Sequence, residues 1–282
     1  KAAIAMGQKD LKRAEEILGA SVIGILGLSI ILTIVLLLFQ RPILLALGAS
    51  SETLPYAVEY LSIYALGTIF VQLVLGLNPF ISSQGFASIS MKTTLIGAIL
   101  NIILDPIFMF VFDLNVAGAA IATVLSQAVS ALWVLRFLTG KQTILHIRRS
   151  NLRFRPALLG SIIALGISPF VMQATESLIS ICFNTSLRQY GGDLAVGAMT
   201  ILLSCMQFAM LPIMGLTQGA QPITSFNFGA GNHDRVRRSF RLLVICCFSF
   251  TAVLWLMVMI APQLFVGMFT DEPKMAEVGV WA

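Results

Sequence analysis

Long apolar runs separated by short polar connections recur along the whole chain. They occupy residues 18–40, 56–80, 92–112, 116–138, 157–185, 194–222 and 239–262, and an eighth begins near Met275. Each is close to the 20 or so residues that carry an α-helix across the bilayer's hydrocarbon. The runs are continuous, not alternating, which excludes an outer-membrane barrel. Several contain Pro, Gly, Ser or Thr, which membrane helices tolerate because neighbouring helices satisfy the freed backbone groups. The pattern predicts an all-α fold, a polytopic transmembrane helical bundle. Composition agrees: 57% of residues are hydrophobic and 11% charged, with a mean hydropathy of +0.91, outside the range of soluble domains. The chain begins at Lys1 and stops at Ala282 inside the eighth run, so it reads as a fragment.

Charge sets the orientation. Fifteen of the eighteen Lys and Arg residues fall on one alternating set of connections, from Lys1 to Arg13, at Lys92, from Arg136 to Arg155 and from Arg235 to Arg241. The other set carries only Arg41, Arg188 and Lys274 and is rich in acids, such as Glu52, Glu59 and Asp113. Basic connections stay on the cytoplasmic side. The net charge of +5 therefore reports topology, and no nucleic-acid partner is implied. The expected location is the plasma (inner) membrane, crossed many times. Residues 136–156, RFLTGKQTILHIRRSNLRFRP, form the longest polar connection. It reads as a linker between two bundles, basic enough to rest on anionic headgroups.

A repeat is visible. GQKDLKR at 7–13 resembles GNHDRVR at 231–237, and RPILLALGASSE at 41–52 resembles APQLFVGMFTDE at 261–272. The offsets are 224 and 220 residues, and both copies face the membrane the same way, as in transporters built from parallel repeats. A complete protein on that period has about 440 residues.

Two acids lie well inside apolar runs, Asp105 and Glu176, with Glu59 close to the start of its run. A lone charge at the bilayer centre costs at least about 2.5–3.5 kcal/mol, so such a residue has a role or a partner. Asp105 follows Asn101 by four residues, one helical turn. Pro106 comes next and removes the donor for the carbonyl of Ile102, which predicts a kink or hinge. Carboxylate, amide oxygen and freed carbonyl suit Na+, and the carboxyl group can instead carry a proton. The next run has a small-residue stripe, Gly118, Ala122, Ser126 and Ser130, that permits close helix approach. Thr123 and Gln127 sit beside it, as further ligands or as polar atoms that hold helices together.

Glu176 shares one helical face with Gln173, Ser180 and Asn184, a polar stripe suited to lining a cavity or to an interhelical hydrogen-bond cluster. The following run offers Gln207, Met206 and Met210. Flexible Met suits a surface that accepts many shapes and equally suits ordinary packing. The four cysteines, Cys182, Cys205, Cys246 and Cys247, lack metal-ligand spacing and read as packing residues. His146 and His233 lie in separate basic connections. No Walker A, HExxH, GxSxG or CxxC pattern occurs, so an enzyme is not expected.

NIILDPIFMF (101–110), VAGAAIATVLSQ (116–127), YGGDLAVGAM (190–199) and MGLTQGAQPITSFNFGAGNHDRV (214–236), in this order, resemble the multidrug and toxic compound extrusion (MATE) family in its bacterial branch. The resemblance implies a twelve-helix, two-lobe secondary antiporter, monomeric, exporting cationic or amphipathic drugs in exchange for H+ or Na+. It implies no cofactor beyond the coupling ion. Residues 1–140 would be the later part of the N-terminal lobe (helices three to six) and 141–156 the interlobe linker. Residues 157–282 would be the early part of the C-terminal lobe (helices seven to nine and the start of ten). Cation coupling would fall on Asn101, Asp105 and Thr123 in the first lobe, with Na+ possible at Asp105, and on Glu176 in the second. Related families that move lipid-linked precursors share the fold and provide the alternative reading.

Overall fold

The computed structural model describes residues 1–47 and 49–260, without the side chains of 184–185, 187–198, 200–202 and 205. The regular elements among the described residues are all helical, in the order α1 Ala2–Gly7, α2 Leu11–Ala46, α3 Leu54–Ser83, α4 Ala87–Pro106, a π-helical segment Ile107–Val111, α5 Asn115–Thr139, a 3-10 turn Arg149–Asn151, α6 Pro156–Gly229 and α7 His233–Ile260. Six segments among them are long and apolar enough to cross a bilayer: Leu11–Ala46, Leu54–Ser83, Ala87–Val111, Asn115–Thr139, Pro156–Phe183 and His233–Ile260.

One connection departs from expectation. The runs at 157–185 and 194–222 were expected to be separate spans, joined by a short polar connection that includes the Gly191–Gly192–Asp193 stretch. The backbone instead stays helical from Pro156 to Gly229. Pro169, Pro212 and Pro222 lie within α6, and none falls near that stretch. Each glycine costs a helix only about 1 kcal/mol relative to Ala, so composition marks a turn there without enforcing one.

The chain forms two compact units. One comprises Lys1–Ala164 with Ser225–Asn232, the other Leu165–Thr224 with the segment that starts at His233. In the first, α5 packs against α3 and α4 along its small-residue stripe, and Gly118, Ala122, Ser126 and Ser130 are all buried. The contacts leave no room for more: a Cβ on Gly97 of α4 would lie 2.7 Å from Ser130 Oγ, and one on Gly67 of α3 would strike Val124. Ser130 donates its hydroxyl to the Thr93 carbonyl at 3.2 Å. Lipid tails are as apolar as Leu, so this close packing, more than hydrophobic burial, holds helices together within the membrane.

The densest core lies toward the basic, cytoplasmic ends of the helices, where Leu18, Leu77, Ile81, Val134, Leu138 and Leu145 are fully buried. Leu145 belongs to the connection read as the interlobe linker. That connection is docked. Gln84 Oε1, at the end of α3, accepts the Thr143 hydroxyl at 2.9 Å and the backbone N–H groups of Ile144 and Leu145 at 2.7 and 2.8 Å. Further on, Arg148 Nε meets Glu15 Oε2 at 3.2 Å and Arg155 Nη1 meets Glu16 Oε2 at 2.6 Å. Toward the outer side the same unit exposes Ile102, Phe110 and Val111, as suits a face turned to lipid.

The repeat appears in the backbone. At the end of α1, Gln8 N–H bonds Ile4 O, Lys9 N–H bonds Met6 O and Asp10 N–H bonds Ala5 O. At the end of α6, Ala230 N–H bonds Phe226 O, Gly231 N–H bonds Phe228 O and Asn232 N–H bonds Asn227 O, the same pattern 222 residues later. Lys9 and Gly231 both take the left-handed conformation that ends a helix, with φ of 63° and 73°. The sequence alignment at 224 was therefore two residues out of register. Residues 261–272, its second match, lie outside the described residues. The two copies also meet: a Cβ on Gly7 would overlap Phe226 O, and one on Gly229 would overlap Ile4 O. Since 7 corresponds to 229 and 4 to 226, this crossing is two-fold symmetric, and each copy supplies the glycine that lets the other's backbone approach.

In the second unit, Phe170, Phe248 and Ile260 are exposed, and α7 buries none of its residues. Cys182 and Cys246 are exposed as well.

Candidate functional site

Three of the four expected coupling residues come together. On α4, Asn101 Nδ2 donates to Asp105 Oδ1 at 3.0 Å, as the one-turn spacing predicted. The same amide nitrogen reaches Thr123 Oγ1 on α5 at 3.3 Å. Thr123 passes the chain on, donating its hydroxyl to the Ala119 carbonyl at 3.0 Å. All three side chains are half-buried. Asn101 thus bridges the carboxylate and the neighbouring helix, and its Oδ1 and the second carboxylate oxygen make none of these bonds. Carboxylate, hydroxyl and amide oxygens are the hard donors that alkali cations prefer.

Pro106 is the last residue of α4, and the distortion that follows it takes the form of the π-helical segment Ile107–Val111. Phe112 N–H bonds Ile107 O, five residues back, so the turn is widened by one residue. The segment rests on α5. A Cβ on Gly118 would lie 2.6 Å from Phe108 O and 2.9 Å from the Met109 nitrogen. Only glycine admits that approach, and it places the π turn one helical turn from Ala122 and Thr123. Sequence reasoning read Gly118 as one member of a packing stripe and missed that it seats the π segment that follows Asp105 and Pro106. The signal was present as a Gly closely following a Pro-distorted helix.

The second-lobe candidates are arranged more openly. Gln173 Nε2 donates to Glu176 Oε2 at 3.2 Å, so the two form a pair on α6. Both are exposed, and Ser180 is half-buried. The Asn184 side chain lies outside the described residues. Gln207, Met206 and Met210 are exposed on α6. Phe170, Met172 and Leu178 beside Glu176 are exposed too. Among the described residues no group of His, Cys, Asp and Glu has the arrangement of a metal site.

Two cavities lie elsewhere. On the outer side, Tyr56, Glu59, Asp113 and Asn115 line a space of about 540 Å³. Its acids agree with the orientation set by the basic connections. On the cytoplasmic side, a space of about 360 Å³ is lined by Ile89, Trp133, Phe137, Arg136 and Lys141, among others.

A set of bilayer-length helices, strand-free among the described residues, with a carboxylate–amide–hydroxyl cluster between two of them, defines a polytopic membrane protein. A family model described as MatE matches residues 2–107 and 169–280, and the chain belongs to this family, the MATE transporters. It is 31% identical over 269 residues to the multidrug export protein MepA of Staphylococcus haemolyticus, covering 95% of this chain and 59% of that protein. It is 30% identical over 276 residues to MepA of Staphylococcus aureus, covering 98% of this chain and 61% of that one. The chain thus spans about three-fifths of the length of these relatives.

Solved structures agree on the fold. An outward-facing multidrug resistance MATE transporter of the MOP superfamily superposes with a TM-score of 0.90 at 23% identity, over 99% of this chain and 63% of that one. A MOP superfamily transporter from Pyrococcus furiosus, described as having a binding pocket of reverse polarity, gives 0.91 at 23% identity, with the same coverage.

Proposed function

We propose that this chain carries the coupling machinery of a secondary multidrug antiporter that exports cationic or amphipathic compounds in exchange for H+ or Na+. On this reading, residues 1–140 belong to the N-terminal lobe, 141–156 to the interlobe connection and 157–282 to the C-terminal lobe. The transporter works as a monomer without catalysing a chemical reaction. The observation that supports it is the Asn101 bridge from Asp105 to Thr123, a carboxylate held between two helices beside a π-distorted segment.

The mechanism follows from what that bridge does. Bare Asp105 draws the Asn101 amide, and through it α5, toward α4. A proton on Asp105, or Na+ held by its oxygens, weakens that hold. For Na+ the Asn101 amide must turn over so that Oδ1 faces the ion; for H+ no turn is needed. Either ion therefore biases the π segment seated on Gly118, and drug affinity falls as the ion binds. Energetically this requires only that ion and drug favour different conformations. Glu176, with Gln173, serves the second lobe in the same sense.

The test is cellular-direction efflux of ethidium, read as its uptake into inverted vesicles carrying the full-length protein, under an imposed pH or Na+ gradient. One gradient drives efflux in the wild type, and Asp105→Asn abolishes it while insertion is unchanged. Efflux in neither gradient would refute the multidrug reading and favour export of lipid-linked precursors or metabolites. Undiminished efflux by Asp105→Asn would move the coupling to Glu176, with Glu176→Gln as the deciding variant.

A further inference from the structure

The cavity at the cytoplasmic end of α5 is not used by the transport reading, and its chemistry is distinctive. Trp133 and Phe137 on α5 and Ile89 on α4 form its apolar wall, and Arg136 and Lys141 stand at its edge. Phe137 is held in place by an edge-on contact with Phe86, ring centres 5.2 Å apart. Lys141 is placed by the docked connection, whose residues 143–145 are fixed on Gln84. Among the described residues, the ion pairs of this region use Glu15 and Glu16 with His146, Arg148 and Arg155, and no carboxylate comes within ion-pair distance of Arg136 or Lys141. The negative pole of the helix end is partly quenched, because Thr139 Oγ1 donates to the Leu135 carbonyl at 2.8 Å and Gly140 N–H to that of Phe137 at 3.0 Å.

We propose that this cavity binds an anionic phospholipid of the cytoplasmic leaflet, its phosphate at Arg136 and Lys141 and the upper part of its acyl chains along Trp133, Phe137 and Ile89. Three features select a lipid over a soluble anion. The cavity lies at the end of a membrane span on the basic side, so it opens at headgroup depth. Trp133, 39% exposed, is the amphipathic side chain that settles at that boundary. The wall below the cations is apolar, which a soluble phosphate cannot use. A volume of about 360 Å³ accommodates a glycerophosphate group and the first methylenes, with the tails leaving into the bilayer.

Trp133 reports occupancy directly. In a background where every other tryptophan is replaced by Phe, Trp255 and Trp281 included, the full-length protein is placed in phosphatidylcholine bilayers containing a minor fraction of phosphatidylglycerol, with bromine on the acyl chains of one lipid or the other. A basic residue near an anionic headgroup favours it by about fivefold, and two by about thirtyfold. Quenching of Trp133 by brominated phosphatidylglycerol should therefore exceed its bulk fraction by roughly 5- to 30-fold. The excess should fall with rising salt and vanish in Arg136→Gln/Lys141→Gln. Arg149→Gln/Arg153→Gln removes equal charge from the docked connection and should leave the excess intact. Quenching that follows bulk composition in the wild type, or equal loss in both double variants, would overturn the proposal. So would displacement by millimolar inorganic phosphate at constant ionic strength, since that would make the site a receptor for a soluble anion.

Discussion

Replacing Glu15 by Gln should loosen the connection between α5 and α6 from the start of α2. The Glu15 side chain is only 12% exposed and takes Arg148 Nε on Oε2 at 3.2 Å. Its other oxygen accepts the backbone N–H of His146 at 3.4 Å, with His146 Nδ1 at 3.9 Å. A hydrogen bond to a charged group contributes about 1.5–3 kcal/mol. Arg148, however, is 63% exposed, which draws the pair toward the ~0–1 kcal/mol of a surface bridge. Gln keeps the shape and still accepts from the His146 amide, so the substitution removes mainly the charge. The expected cost is about 1–2 kcal/mol, or a roughly 5- to 30-fold larger undocked population. Trypsin reads this population at Arg148, Arg149 and Arg153, provided the connection recloses faster than it is cut. Cleavage there should accelerate by that factor relative to cleavage at Arg235, Arg237 and Arg238. An unchanged ratio would refute the argument that Glu15 holds the connection.

Gly229→Ala should lower the melting temperature in detergent by an amount corresponding to about 1–3 kcal/mol, because its Cβ meets the Ile4 carbonyl. Gly215→Ala, with nothing near its Cβ, should leave it unchanged or raise it by up to about 1 kcal/mol through helix propensity; equal shifts would deny the crossing its role. Gln84→Ala strips the acceptor from two backbone amides, and hydrogen exchange at Leu145, which is fully buried, should quicken by about 5- to 100-fold. Protection that survives would mean that packing alone holds the segment. Gly118→Ala pushes on Phe108 O and should depress coupled efflux with normal membrane insertion. Wild-type efflux in that variant would detach the π segment from the mechanism.

What the sequence disclosed and what it hid divide along contact range. Span positions followed from apolar runs, because bilayer thickness imposes a length that a single segment must meet. The Asn101–Asp105 bond was legible because it is a one-turn neighbour on one helix, and the burial of Gly118, Ala122, Ser126 and Ser130 because a four-residue stripe has no other common use. Thr123 was a candidate only by its place beside that stripe. Glu15 was not legible as an anchor for Arg148, since nothing in a polar helix start names a partner more than a hundred residues away. Gln84 was likewise invisible: a Gln before Gly at a helix end reads as a turn. The repeat was legible, but its register came from backbone hydrogen bonds that residue identities only approximate. The polar face at Gln173 and Glu176 was legible as a stripe, yet periodicity cannot state what covers it.

The central claim is that the ion held at Asp105 opposes drug binding, and the most direct measurement is ion release on drug binding. Full-length protein in detergent, weakly buffered or equilibrated with radioactive Na+, is titrated with ethidium while released H+ or Na+ is counted. The account predicts that saturating ethidium expels one of the two ions, and that Asp105→Asn still binds ethidium but releases none of that ion. Undiminished release from Asp105→Asn, or ethidium binding with no ion release in the wild type, would contradict it.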